Sequence, residues 1–201
     1  MKAVIEHYNK LIDENNDPAR DGEALRAYMD KWDGDRFIES MRLDTNKTVL
    51  EIGVGTGRLA MKVAPQCQTF YGIDISEKTV QRAKENLAAY QNVNLICDDF
   101  MLHTFETCFD VIYSSLTFMH IQDKQYAIRK VSTLLQNRGL FVLSIDKNQD
   151  TFIDMGTRKI KIYPDDPDSI CRAISDAGLE RIDLFETEHA YIIISQKAFS
   201  R

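Results

Sequence analysis

The sequence predicts an α/β fold built on a doubly wound, mostly parallel sheet of seven strands, and three observations predict it. From residue 48 onward, short apolar or β-branched runs alternate with longer segments of helical period, which is the pattern of βαβ units. The first run passes straight into glycines at 53, 55 and 57 and then into a helical segment. The last two runs are separated only by residues 187–189, too few for a parallel crossover of a dozen or more residues, so they must pair as an antiparallel hairpin.

Five parallel strands are expected at 48–52, 69–73, 93–97, 109–113 and 139–145, each nearly continuous in apolar residues, as strands buried on both faces are. Helices are expected between them at 57–64, 76–90 and 123–136; in the second, Val80, Ala83, Leu87 and Tyr90 recur at helical spacing. Ser76 stands where an N-cap belongs, with Thr79 rather than an acid at the capping-box position. Gly139, after Arg138, reads as the left-handed cap that ends the third helix. A further helix over 167–177 stops at Gly178, and strands at 180–186 and 190–196 complete the sheet. Residues 1–46 read as two or three helices, with Ile5, Tyr8, Leu11 and Ile12 in one apolar stripe, Leu25, Tyr28, Met29 and Trp32 in another, and Pro18 between them. With no repeat or long linker, 1–46 is expected to cap a core of 47–201 within a single domain, 1–201.

A chain of 201 residues with 44% hydrophobic and 28% charged residues is too apolar to be disordered. Its 25 basic and 31 acidic residues leave a net charge of -6, which provides no general positive field for nucleic acid. No run approaches the roughly 20 apolar residues of a membrane span, and the N-terminus lacks a signal-peptide core, so no membrane partner and a cytoplasmic location are expected. Cys67, Cys97, Cys108 and Cys171 are scattered without metal-ligand spacing; they are expected to be reduced, mostly buried thiols, with no metal bound.

The segment TVLEIGVGTGR, residues 48–58, carries the most chemistry. Glycine permits positive φ and lets a ligand lie against the backbone, while the free N–H groups opening the next helix meet a polar or anionic ligand group. The spacing is GxGxG, not the GxGxxG of dinucleotide-binding folds, and no P-loop lysine follows. YGIDIS, residues 71–76, places Asp74 at the carboxyl end of the second strand, the edge where open α/β sheets bind ligands; a carboxylate there can accept from both hydroxyls of a ribose. ICDDF, residues 96–100, brings Asp98 to the same edge, where it can accept from an exocyclic amine, and Phe100, which can pack on a flat base.

Together with FDVIYSS at 109–115 and LLQNRGLFVLS at 134–144, these motifs stand in the order and spacing of a class I S-adenosylmethionine-dependent methyltransferase, of the small type 11 kind, which residues 48–197 resemble. The resemblance implies a Rossmann-like sheet and S-adenosylmethionine as cofactor. It implies that Gly53, Gly55 and Gly57 hold the methionine part with Glu51 near its amino group, that Asp74 takes the ribose, and that Ile75, Asp98 and Asp99 border the adenine. Ser114 and Ser115 would line the side near the methyl. Cys97 and Asp99 stand where the family commonly has a glycine and a small residue.

A sulfonium is already an activated donor, so positioning a nucleophile supplies much of the rate and a base is needed only for some acceptors. His120 is the candidate base because its ordinary pKa is near neutrality. A structural role for this histidine is an equal reading. Acceptor specificity is expected from the N-terminal helices and from residues 146–168, with Tyr8, Tyr28, Trp32 or Tyr163 facing the site. The function expected is methyl transfer to an N, O or C nucleophile of a small molecule; a catalytically silent cofactor-binding module and a nicotinamide dehydrogenase are the competing readings.

Overall fold

A computed structural model describes residues 2–199. The N-terminal region forms three helices, α1 (Lys2–Asp13), α2 (Glu23–Met29) and α3 (Gly34–Glu39). Then follow β1 (Thr48–Ile52), α4 (Ala60–Val63), β2 (Thr69–Asp74), α5 (Glu77–Asn86), β3 (Val93–Cys97), β4 (Phe109–Ser114), α6 (Lys124–Leu134) and β5 (Leu135–Asp146). A small two-stranded sheet, β6 (Phe152–Asp154) with β7 (Lys159–Lys161), precedes α7 (Pro167–Asp176) and the strands β8 (Leu179–Glu186) and β9 (Ala190–Lys197).

The main sheet has seven strands in the order β3-β2-β1-β4-β5-β9-β8. The first five are mutually parallel, and β9 runs antiparallel to both β5 and β8. This is the expected doubly wound sheet with a closing hairpin, and the last strand in sequence lies between β5 and β8, not at the edge. Side-chain alternation places Val49, Phe70, Val111 and Val142 in one core cluster with Phe37, Val63 and Leu87. Leu50, Ile73, Ile112 and Phe141 go to a second cluster with Ile128 and Ile174. Two clusters on opposite faces explain why the strands read as unbroken apolar runs.

Several expectations are corrected. The predicted helix 57–64 is a single turn, because Pro65 lacks an N–H and the chain passes into a 3₁₀ turn over Ala64–Gln66. The helix from Ser76, whose hydroxyl does accept from the Thr79 amide at 3.2 Å, stops at Asn86 and not at 90. Gly139 does not cap α6, which ends at Leu134. The left-handed residue is Arg138 (φ 63°), and a Cβ at Gly139 would lie 2.9 Å from the Gln136 carbonyl oxygen and 3.1 Å from that of Phe109, so backbone crowding requires the glycine. At the sheet edge, β3 is half-exposed and not buried on both faces.

The N-terminal stripes do not enter the core as a whole. In α1 the buried residues are Val4 and His7; Ile5, Tyr8, Leu11 and Ile12 are half-buried; and α2 buries none, leaving Leu25 and Tyr28 exposed. Of the cysteines only Cys67 is buried, so the expectation of mostly buried thiols fails; Cys97 and Cys108 lie on exposed segments. Among the described residues no helix is long and apolar enough to cross a membrane.

Candidate functional site

The chain moves from β1 outward to β2 and β3, then returns to place β4 on the other side of β1. That reversal opens a crevice at the carboxyl ends of the strands, where ligands bind in open α/β sheets. A cavity of about 830 Å³ lies there, within the roughly 300–1,000 Å³ range of small-molecule sites. Its floor is the strand tips; its roof is α1, α2 and the loop between them, together with β7 and Tyr163.

Glu51, Gly53, Gly55, Asp74, Ile75, Asp98, Asp99, Phe100, Ser115 and His120 all line this cavity. Gly57 and Ser114 do not. Ser114 is fully buried, with its hydroxyl donating to the Ile52 carbonyl at 2.8 Å, so it stitches β4 to β1. The three glycines all have positive φ but for different reasons. A Cβ at Gly53 would collide with the Thr117 side chain, and one at Gly57 would lie 3.0 Å from Leu87. A Cβ at Gly55 would meet nothing within 4 Å, so at Gly55 the turn borders free space beside the cavity.

Asp74 ties the strand tips together. Its Oδ2 accepts from the Gly55 amide at 3.1 Å and its Oδ1 from the Ser76 amide at 3.0 Å, while its backbone carbonyl accepts from the Asp98 amide at 3.0 Å. Burial pushes its pKa up, against the pull of those amides. With backbone amides of Ser76, Gly55 and Ile75 on it, the carboxylate, with about four lone-pair sites, keeps acceptor capacity, as ribose hydroxyls would need. At the edge, Asp98 bonds His103 Nδ1 at 2.8 Å, which holds its carboxyl below the usual range, and Asp99 accepts from the Met101 amide at 2.9 Å. Phe100 is 5% exposed and its ring carries Lys130 Nζ 5.2 Å from the centroid.

Glu51 is almost wholly buried and accepts from the Tyr113 hydroxyl at 2.8 Å; burial pushes it up to about 8. Beside it lies a feature not foreseen from sequence: Arg58 forks onto Asp33, with Asp30 at 3.3 Å, and Ser115 Oγ donates to Asp33 Oδ2 at 2.8 Å. The burial of an ion pair is stable only when its remaining atoms are bonded, which the Ser115 hydroxyl and the Gly34 amide accomplish at Asp33. The loop after β4 holds Leu116 at φ 55°, a conformation that costs a residue with a Cβ.

His120 ends a 3₁₀ turn, Phe118–His120, and its Nε2 lies 2.7 Å from the Tyr8 hydroxyl of α1. Burial lowers its pKa to about 4, so the ring is neutral and one of its nitrogens is free to accept. Tyr28 and Tyr163 also line the cavity, as expected; Trp32 does not, packing instead on Tyr28 and His189 with ring centroids 5.4 and 4.5 Å away.

A family model described as a methyltransferase domain, type 31, matches residues 43–191, three quarters of the chain. The chain belongs to the methyltransferase domain family. S-adenosylmethionine is the methyl donor of that family, and the resemblance legible in the motifs holds at this level. An uncharacterized methyltransferase of Schizosaccharomyces pombe is 26% identical over 89% of this chain and 72% of its own length. One from Anoxybacillus flavithermus is 36% identical, over 58% of this chain and 56% of its own. The chain thus spans little more than half of that second relative. Among solved structures, magnesium protoporphyrin IX methyltransferase from Synechocystis with bound S-adenosylmethionine aligns with a TM-score of 0.75 at 18% identity over 97% of this chain and 95% of its own. The [4+2]-cyclase SpnF aligns with a TM-score of 0.76 at 16% identity over 98% and 96%. At such identity both likenesses concern the fold.

Proposed function

We propose that the protein transfers a methyl group from S-adenosylmethionine by direct displacement to an N, O or C nucleophile of a small molecule. The observation that carries this reading is the Gly55–Asp74–Asp98 linkage: three strand tips joined by two hydrogen bonds at the floor of a cavity, with free space where a Cβ at Gly55 would stand. The bound cofactor would supply a methyl group already activated on a sulfonium.

In this reading Gly53 and Gly55 form the wall beside the methionine part, Glu51 stands near its amino group, and Gly57 supports the turn from behind by packing on Leu87. Asp74 receives the ribose hydroxyls, Ile75, Asp98 and Asp99 border the adenine, and Phe100 packs on the base. Ser115 lines the methyl side through its bond to Asp33, and Ser114 holds β4 in register. His120 is the candidate base; an acceptor's proton reaches Nε2 where the Tyr8 hydroxyl now sits. Apolar and aromatic walls from Leu11, Leu25, Met29, Met119 and Tyr163 suit a small organic acceptor better than a polymer. The net charge of -6 disfavours nucleic acid, and a cytoplasmic location fits the composition.

Calorimetric titration with S-adenosylmethionine and S-adenosylhomocysteine tests the cofactor assignment, and a metabolite-pool screen with labelled donor tests methyl transfer. Binding without labelled product from any pool would favour a silent binding module.

A further inference from the structure

We infer that the acceptor is an apolar small molecule carrying an anionic group, and that Lys161 holds that group at the outer end of the cavity. This inference rests on the methyltransferase reading and adds the substrate class to it.

Two cationic side chains, Arg58 and Lys161, line the cavity. Arg58 is neutralised by Asp33 and Asp30. Lys161, on the exposed face of β7, has no ion pair among the described residues; its Nζ lies 5.0 Å from the centroid of the cavity-lining Tyr163 ring. None of the wall acids pairs with Lys161 among the described residues. Glu51, Asp74, Asp98 and Asp99 are at the strand tips, Asp123 caps α6 next to Lys124, whose Nζ donates to the Tyr163 carbonyl at 2.9 Å, and Asp21 follows a loop bound at Ala19 to Thr56 in the glycine turn by a 3.2 Å hydrogen bond.

Lys161 is at the opposite, acceptor end. The Tyr163 amide donates to the Met119 carbonyl at 2.7 Å, one residue from His120, and Ile160 and Met119 add apolar surface there. An anion is therefore repelled by the floor of the cavity and attracted at one place on its rim. The apolar body of such a molecule then points inward toward Tyr8 and His120. The anionic group is an anchor in this arrangement; a second atom of the molecule is the nucleophile.

The test uses the full chain saturated with S-adenosylhomocysteine and three isosteric probes, 3-phenylpropionate, 3-phenylpropanamide and 3-phenylpropylamine, titrated by calorimetry. The acid should bind about 5-fold more tightly than the amide, the scale of a partly solvated ion pair. Lys161→Met should bring that ratio to about one, and Lys161→Arg should keep most of it. Equal binding of acid and amide, preference for the amine, no measurable acid binding, or a ratio that survives Lys161→Met would each overturn the inference. Titration with S-adenosylhomocysteine alone separates the two levels: its failure strikes the cofactor assignment, whereas its success without an acid preference strikes Lys161.

Discussion

The Tyr8 hydroxyl and His120 Nε2 are 2.7 Å apart although 112 residues separate them in sequence, so the first helix is bonded to the turn that follows β4. The hydrogen bond joins the roof of the cavity to its wall.

Replacing Tyr8 by Phe keeps the ring and removes that bond. The expected cost is roughly 0.5–1.5 kcal/mol in urea denaturation, the net worth of a neutral hydrogen bond. An unchanged midpoint would mean the contact contributes nothing to closure.

His120 should also impose a pH dependence on stability. Its folded pKa is about 4 against an ordinary value of 6.5, so between those limits the unfolded chain binds the additional proton and acidification destabilises the fold. Stability lost from pH 6.5 down to 4 should be smaller in His120→Asn. If His120 is the base, the pH–rate profile of the wild-type enzyme should lack an inflection near 6.5; one at that pH that disappears in His120→Asn would show a histidine titrating normally.

Glu51 predicts the opposite slope. Its carboxyl is raised from 4.5 to about 8 by burial, so the folded state holds the proton and stability falls as pH rises from 4.5 through 8. Glu51→Gln imitates the protonated form and still accepts from Tyr113. It should raise stability at pH 8 by about 2–4 kcal/mol and flatten the pH dependence of the melting temperature. A lower melting temperature at pH 8 would contradict a protonated Glu51.

For the cofactor, Asp74→Ala should weaken S-adenosylhomocysteine binding by about 1.5–3 kcal/mol, the range for hydrogen bonds to a charged group. Unchanged affinity in calorimetry would remove Asp74 from the ribose role.

The glycine turn separates packing from binding. Gly55→Ala adds a Cβ into open space at φ 56°, so it should cost about 1–2 kcal/mol of stability and weaken the cofactor as well. Gly53→Ala collides with Thr117 and should unfold more easily than Gly55→Ala, with Thr117→Gly restoring part of the loss. Equal melting temperatures for the two single variants would contradict this division.

The sequence by itself determined the strands β1 to β5 and their parallel sense, the antiparallel hairpin, and the acids and glycines at the strand tips. Those features are local: strands buried on both faces must be continuously apolar, and a three-residue connection forbids a crossover. Only the tertiary structure decided which glycine has free space beside it, since GxGxG looks the same whether Thr117, Leu87 or open space lies beyond it. It also decided that Ser114 braces the sheet while Ser115 reaches Asp33, although the two are adjacent in one motif. The Arg58–Asp33 pair, the Tyr8–His120 bond and the placement of Lys161 are contacts between distant segments. Side chains acquire such partners through packing in three dimensions, which no periodicity along the chain encodes.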